Sequence, residues 1–412
     1  MSEKTLRILH FADAHIDMAN YGRRDQETAL PVRVMDFLNA LDQIVDAAVE
    51  EKVDLVIFAG DAYKDRNPQP TFQREWGRRM MRLSNAGIPT LLLIGNHDIS
   101  PAAGRAHTLQ EFKTLHVPHI YVADRIQLWS PQDLGVPLQV LTVPWVSRSK
   151  LMTREEISGK SLDGILTAME DRVTKAILKG IEEADPELPL ILTAHASVSG
   201  ATYGSERSVM LGHELVLGGR IITDKRLDYV ALGHIHKHQT LSPAGNQPPA
   251  VYPGSIERID FGEVNEKKGF VLADVSRGHT DYAFIKLQTR PMLDIPVDTP
   301  AQETFMADIL EQLPEAETVR NAICRVRLTY PANWEPLLDE NMIIDRFRTA
   351  FSLQIHKRRL SERRARLGDT LDVESLSPIE LLEKYWLAEG LGDDEIDGLK
   401  TLAAEILFTA EE

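Results

Sequence analysis

A single cysteine, Cys324, stands in the 412 residues, so no internal disulfide framework is possible. That usage fits a reducing compartment. Long hydrophobic runs are also missing. The longest apolar stretches, such as Leu91–Ile94 and Leu188–Leu192, fall far short of the ~20 residues that span a bilayer. The polar start, Met1 to Arg7, leads straight into a strand-like segment and does not read as a signal peptide. There is no internal repeat and no low-complexity tract. Positive charge is scarce: 46 Lys and Arg face 62 Asp and Glu, for a net charge of −16. That balance excludes a simple basic protein that coats DNA. A soluble cytoplasmic protein with no membrane contact is expected.

What is present is ordinary in bulk and unusual in placement. Hydrophobic residues make up 43% and charged residues 26%, which are globular values. The length allows two or three domains, or one large α/β domain with appendages. Basic residues concentrate in one stretch, where Lys357, Arg358, Arg359, Arg363, Arg364 and Arg366 face only Glu362. An acidic chain can still act on nucleic acid where such a patch or a bound cation supplies the positive field.

The first 290 residues alternate short apolar strands with amphipathic stretches. Strands are expected at Leu6–Phe11, Leu55–Ala59, Thr90–Ile94, Leu138–Val143, Leu188–Thr193, Tyr229–Leu232, Phe270–Val275 and Tyr282–Leu287, with helices such as Val34–Val49 and Thr71–Leu83 between them. This is the pattern of a layered α/β fold. Pro291, Pro296 and Pro300 then punctuate a shift in composition. Beyond it a β-α-β-α-β pattern predicts a smaller domain, with strands Met292–Val297, Ala322–Thr329 and Ser352–His356 and helices Glu303–Leu313 and Asp339–Phe351. The tail carries a capping box, Ser377-Pro378-Ile379-Glu380, with Leu376 and Leu381 placed as a hydrophobic staple. A second helix follows, with Ile396, Leu399, Ala403, Ile406 and Leu407 on one face. Such helices pack on their own domain or bind the helices of a partner.

Five of the expected strands run into clusters of metal-ligand residue types. These are Asp13-Ala14-His15, Gly60-Asp61, Gly95-Asn96-His97-Asp98, Ala194-His195 and Gly233-His234-Ile235-His236. Ligands bind beyond the carboxyl ends of strands in an open α/β sheet, so the clusters should converge. Asp, His and Asn together suit borderline divalent ions such as Mn²⁺, Fe²⁺ or Zn²⁺. Most of the 13 histidines, His10 among them, read as core or surface residues; His15, His97, His195, His234 and His236 read as site residues. Asp98 is either an orienter behind the ligands or a turn residue.

These motifs resemble the five-part signature of the calcineurin-like metallophosphoesterases. More narrowly, the chain is similar to the SbcD nuclease family, through Arg7 to His15, Gly60 to Pro68, and Tyr252 to Glu263. The resemblance implies an α/β/β/α sandwich for residues 1–290, a small α+β capping domain facing DNA for 291–366, and C-terminal helices at 367–412. Those helices would dock on an SbcC-type coiled-coil ATPase. It further implies that Asp13, His15 and His236 hold one metal and that Asn96, His195 and His234 hold the other. Asp61 would bridge the two, and His97 would be catalytic. Two ions, Mn²⁺ above all, would bind a phosphodiester and activate water. The implied activity is 3′-to-5′ exonuclease action on duplex ends and endonuclease action on single strands or hairpins, by a homodimer. Many relatives carry a histidine three positions after the bridging aspartate, where this chain has Lys64. Lys64 and Arg66, with Lys357, Arg358, Arg359 and Arg363, are the DNA-contact candidates. Another phosphoesterase on the same fold, or a non-catalytic subunit that tethers DNA ends, are the competing readings.

Overall fold

The computed structural model describes residues 5–22, 24–99, 105–146, 151, 161–204, 216–242, 247–299, 301–360, 378–389 and 391–409. The chain divides into two compact units, Met1–Arg290 and Pro291–Glu412.

The first unit holds β1 (Leu6–Phe11), β2 (Leu55–Phe58), β3 (Thr90–Leu93), β4 (Ile120–Ala123), β5 (Gln127–Trp129), β6 (Gln139–Val143), β7 (Leu190–His195), β8 (Ser197–Val198), β9 (Val216–Leu217), β10 (Tyr229–Gly233), β11 (Gln239–Thr240), β12 (Ala250–Tyr252), β13 (Gly269–Ser276) and β14 (His279–Lys286). Two six-stranded sheets form, in the orders β14-β13-β1-β2-β3-β4 and β11-β12-β10-β7-β6-β5, while β8 pairs with β9. The strands that carry the ligand motifs run parallel within each sheet, β1 to β2 to β3 and β7 to β10. Their carboxyl ends therefore lie along one edge.

Alternation along the strands explains the layering. Ile8, Ile57, Leu91, Ile191, Tyr229 and Ala231 face into the space between the sheets. Their neighbours Leu9, Phe11, Val56, Phe58 and Leu92 face the other way, against the helices Val32–Glu50 and Pro70–Asn85. On the second sheet Leu192, Val230 and Leu232 pack under the helix Leu162–Glu183, whose Ile165, Met169, Val173, Ile177 and Ile181 recur every four residues. The result is the expected α/β/β/α sandwich. His10 is a core residue, as expected: its ring spans the sheets to the Tyr229 hydroxyl (3.0 Å) and the Leu232 carbonyl (3.2 Å). Most expected boundaries shift by one to three residues, and one of the shifts bears on the site. The strand expected at Leu188–Thr193 begins after Pro189 and ends on His195, so that ligand candidate is the last residue of β7.

The second unit is built on a parallel sheet, β15 (Met292–Asp298), β16 (Ile323–Pro331) and β17 (Ser352–Leu360), with helices Phe305–Gln312 and Glu340–Arg346. Val297, Phe305, Ile309, Val326, Leu328, Ile343 and Phe347 form its core. The second helix is shorter than the expected Asp339–Phe351. Asp339 caps it by accepting from the Asn341 amide (3.0 Å), and it stops at Arg346. Strand β17 runs past the expected end at His356 to Leu360, so Lys357, Arg358 and Arg359 sit on it. In the tail, helices Pro378–Glu389 and Asp393–Thr409 are joined by a bond from the Leu391 amide to the Trp386 carbonyl (3.2 Å) and by the Lys400–Glu383 ion pair. Arg363, the staple residue Leu376, the capping residue Ser377 and the boundary at 366/367 lie outside the described residues. Among the described residues no helix is long and apolar enough to cross a membrane.

Candidate metal centre

Tight turns after β1, β2, β3 and β10 aim the polar side chains at one place. Asp13, His15, Asp61 and His234 all have positive φ (50°, 39°, 65° and 98°), a region that non-glycine residues visit at a cost. Strain of this kind costs roughly 1–3 kcal/mol per residue and persists only where the surroundings hold it. Here hydrogen bonds hold it. The Asp13 amide donates to the Gly60 carbonyl (2.9 Å). The His234 amide donates to both carboxylate oxygens of Asp13 (3.1 Å each). The loops also touch closely: a Cβ on Gly95 would stand 2.1 Å from Asp61 Oδ1, so only glycine fits there.

Asp98 is the fastener. Its buried carboxylate accepts from the amides of Asp61 (2.9 Å), Gly95 (2.9 Å) and Ala62 (3.1 Å) and from the Thr108 hydroxyl (3.0 Å). Burial, with the nearby Asp61 charge, pushes its carboxyl up to about 7, against the pull of the Gly95 and Asp61 amides. Of the two sequence readings, the geometry favours the orienter over the turn residue. Asp98→Asn should therefore turn amide hydrogens toward backbone donors, at about 1–3 kcal/mol for each donor left unsatisfied. A lowered denaturant midpoint together with weakened metal binding is the expected result; an unchanged midpoint would make Asp98 dispensable.

The histidines share one arrangement. His15 Nδ1 donates to the Tyr63 carbonyl (3.2 Å), His195 Nδ1 to the Ala59 carbonyl (2.7 Å), and His236 Nδ1 faces Glu263 Oε1 (2.9 Å). Each Nδ1 meets an oxygen that accepts, so each Nε2 is left as a lone pair in the neutral ring. Those lone pairs point at one another or at other acceptors. His15 Nε2 lies 3.2 Å from His236 Nε2. His195 Nε2 lies 2.9 Å from Asn96 Oδ1 and 3.4 Å from Asp61 Oδ2. His234 Nδ1 lies 3.0 Å from the same Asn96 oxygen. Acceptors so placed repel unless a cation sits among them. A proton is the lesser substitute: burial disfavours it, yet the Asp61 charge and hydrogen bond, with Asp13, push His195 up to about 9. Burial likewise opposes ionisation of Asp61, but His195, His97 and His15 together hold its carboxyl below the usual range.

Ligand atoms of Asp13, His15 and His236 lie within 4.8 Å of one another, and so do those of Asp13, Asp61 and His195. All five residues are buried. These groups are positioned to bind metal ions, and the donor set fits the expected metals. Asp13, assigned by the resemblance to one metal alone, is common to both groups. Asp61 Oδ2 approaches histidines of both sets, His195 at 3.4 Å and His15 at 4.0 Å.

His97 sits at the rim, partly exposed. Its amide donates to Asp61 Oδ1 (2.8 Å) and its Nδ1 to the Lys64 carbonyl (2.7 Å), which leaves a lone pair on Nε2 in the neutral ring. Lys64 and Arg66 are exposed on the same loop. The described candidates Lys357, Arg358 and Arg359 stand on β17 of the second unit. Lys357 is tied to Glu335 (3.2 Å) and Glu340 (2.8 Å), and Arg359 grips Glu335 with two bonds (2.7 and 2.8 Å). Much of their charge is thus neutralised within their own unit. Arg358 is exposed on the opposite face of β17, since side chains alternate.

Two neighbours escape a reading of the sequence. Trp145 stacks at a tilt on His234, with ring centroids 4.9 Å apart. Glu263 holds His236. Trp145 belongs to no motif; Glu263 closes the stretch Tyr252 to Glu263, but nothing local marks it as the partner of a histidine 27 residues away.

Comparison with known proteins agrees with this geometry. The calcineurin-like phosphoesterase family model matches residues 6–238. The SbcD component of the nuclease SbcCD from Escherichia coli (strain K12) is 26% identical over 304 residues, covering 72% of this chain and 70% of that protein. The uncharacterized metallophosphoesterase YhaO of Bacillus subtilis (strain 168) is 25% identical over 280 residues, 68% of this chain and 60% of that one. The DNA double-strand break repair protein Mre11 of Archaeoglobus fulgidus is 23% identical over 327 residues, 76% and 66% of the two chains.

Proposed function

The chain belongs to the calcineurin-like phosphoesterase family, and from that premise we propose that it is a DNA nuclease of the SbcD type. The observation that carries the phosphodiester chemistry is the convergence of anchored histidines and carboxylates from five strand ends, with acceptors facing acceptors. Asp13, His15 and His236 would hold one divalent ion; Asn96, His195 and His234 would hold the other, with Asp61 between them. Manganese is the favoured metal for this mixed donor set. When bound, the ions supply the charge that neutralises a phosphodiester and lowers the pKa of an attacking water.

The protein's own groups do the rest. Asp98 and the Asp13–His234 contact fix the loops. With Nδ1 donating to the Lys64 carbonyl, His97 in its doubly protonated form would donate the Nε2 hydrogen to the phosphate or give that proton to the departing sugar oxygen. Lys64 and Arg66 would take adjacent backbone phosphates. DNA is preferred over small esters because the relatives named above include a nuclease and a break-repair protein, and because a second folded unit and a helical pair follow the phosphoesterase core. We assign the 3′-to-5′ action on duplex ends, the cutting of hairpins, a homodimeric state and a cytoplasmic setting on the same resemblance.

The test incubates purified protein and Mn²⁺ with end-labelled duplex DNA, a DNA hairpin and a generic phosphodiester ester, side by side. Cleavage of both DNA substrates is expected. Turnover of the ester alone would replace the nuclease reading with that of a small-substrate phosphoesterase. Inertness toward all three would favour the tethering role.

The tail helices are assigned to docking an SbcC-type ATPase. Tyr385, Leu387 and Leu402 are more than half exposed (54%, 53% and 55%), a surplus of apolar surface on two short helices. Removing the chain after Leu371 should leave Mn²⁺-dependent cleavage and abolish co-purification with the ATPase. Retained co-purification would move the docking surface elsewhere.

A further inference from the structure

His236 differs from His15 and His195 in what turns its ring. Those two are anchored by backbone carbonyls, whereas His236 Nδ1 meets the carboxylate of Glu263 at 2.9 Å. Glu263 lies 27 residues along the chain, at the end of a short 3₁₀ turn, Phe261–Glu263, capped by Asp260. Its second oxygen accepts from the Ile259 amide (2.9 Å) and from Lys268 Nζ (2.9 Å). Glu263 and Lys268 have fully buried side chains.

Lys268 grips His236 from both ends. Its ammonium reaches the His236 carbonyl (3.0 Å), the Ser255 hydroxyl (2.9 Å) and the Glu266 carboxylate (2.8 Å), as well as Glu263. Between these contacts the backbone closes in: the Ser255 amide donates to the His236 carbonyl (3.0 Å). Gly254, at φ +81°, comes so near that a Cβ would stand 2.4 Å from that oxygen. A buried ion pair of this kind is a poor source of stability, because desolvation offsets the attraction. A carboxylate on the far nitrogen of a metal-ligating histidine has a known physical effect. It fixes the tautomer and the ring orientation and raises the basicity of the ligand nitrogen.

We propose that Glu263, held by Lys268, is a positioning residue for the metal centre: it fixes His236 with Nδ1 protonated and Nε2 presented beside His15. The inference rests on the metallophosphoesterase reading and assigns a role to residues outside the five strand-end motifs. It concerns the site of His236, since His195 Nδ1 is anchored by the Ala59 carbonyl instead.

The experiment uses the full chain and the metal alone. Mn²⁺ binding is titrated for the wild type, Glu263→Gln and Lys268→Met, and the thermal melt of each is recorded without metal. Co²⁺ absorption reports the ligand field. The wild type should bind two Mn²⁺. In Glu263→Gln one ion should bind as before and the other about 10–100-fold more weakly. Its Co²⁺ spectrum should change, which a merely structural ion pair would not give, and its metal-free melt should fall somewhat, because the Gln amide hydrogens meet the Ile259 amide or the Lys268 ammonium. Lys268→Met should weaken the same site, with a lowered melt because Glu263 is left buried without its cation. Two ions bound at wild-type affinity in both variants would overturn the proposal. So would a lowered metal-free melt in Glu263→Gln with both ions lost together, since the cluster would then serve folding. A wild type that binds no Mn²⁺ would instead overturn the metal reading beneath it, a result distinct from either.

Discussion

His97→Asn is expected to slow DNA cleavage by about 10²–10⁴-fold, the usual contribution of one acid–base group, while both metal sites survive. The ring is not needed to build the site. The contact that ties residue 97 to the ligands runs from its backbone amide to Asp61 Oδ1, and any side chain keeps it. The ring itself makes a bond to the Lys64 carbonyl and an edge contact with His15, centroids 5.3 Å apart. Asparagine removes Nε2, the one atom with no part in those contacts. DNA affinity should change little, because it comes mainly from cations and basic side chains. Bound Mn²⁺, DNA affinity and single-turnover cleavage are to be measured on the same variant. Loss of Mn²⁺ along with activity would make His97 a ligand. Cleavage at the wild-type rate would remove it from the mechanism.

Asp61→Ala should be more severe still, with both ions lost and cleavage abolished. One oxygen of this carboxylate faces His195 and His15, which belong to different ligand sets. The other oxygen anchors the His97 amide. Removing the side chain therefore withdraws charge from both sets and frees the loop that carries Asn96. Alanine also sits less easily than aspartate at φ 65°. Asp61→Asn controls for this, since it keeps the shape and the tolerance of that backbone and loses only the charge. Metal analysis of the two purified variants decides the matter. Two ions per chain in Asp61→Ala would show that Asp61 is not shared. Loss in the alanine variant alone would assign the effect to backbone strain.

The parts of the site that can be read from sequence are those tied to chain direction. Each strand is a short apolar run, and a ligand residue at its carboxyl end needs only the chain order to be placed. Asp13, Asp61, Asn96, His195 and His234 are legible for that reason. The helix Leu162–Glu183 shows a four-residue apolar period, yet it is not among the helices expected from the sequence. The short strands β5, β11 and β12 span only two or three residues each, too few for a period to show. The pairing of Lys357 and Arg359 is not legible in the basic stretch because their partners, Glu335 and Glu340, lie on other elements.

By itself, then, the sequence determined the α/β class, the break near Pro291 and the identity of the strand-end residues. Those features depend on local pattern: alternation, punctuation by proline, and residue type after an apolar run. Tertiary structure alone decided how the residues are held. The donors on Asp98 from Asp61, Ala62 and Thr108, the left-handed turns at Asp13 and His234, the approach of Asp13 to both ligand groups and the Glu263–His236 contact join segments from 10 to over 200 residues apart. Hydrogen bonds at such separations form only when the two sheets pack and close the edge that carries the site. No window of sequence contains both partners.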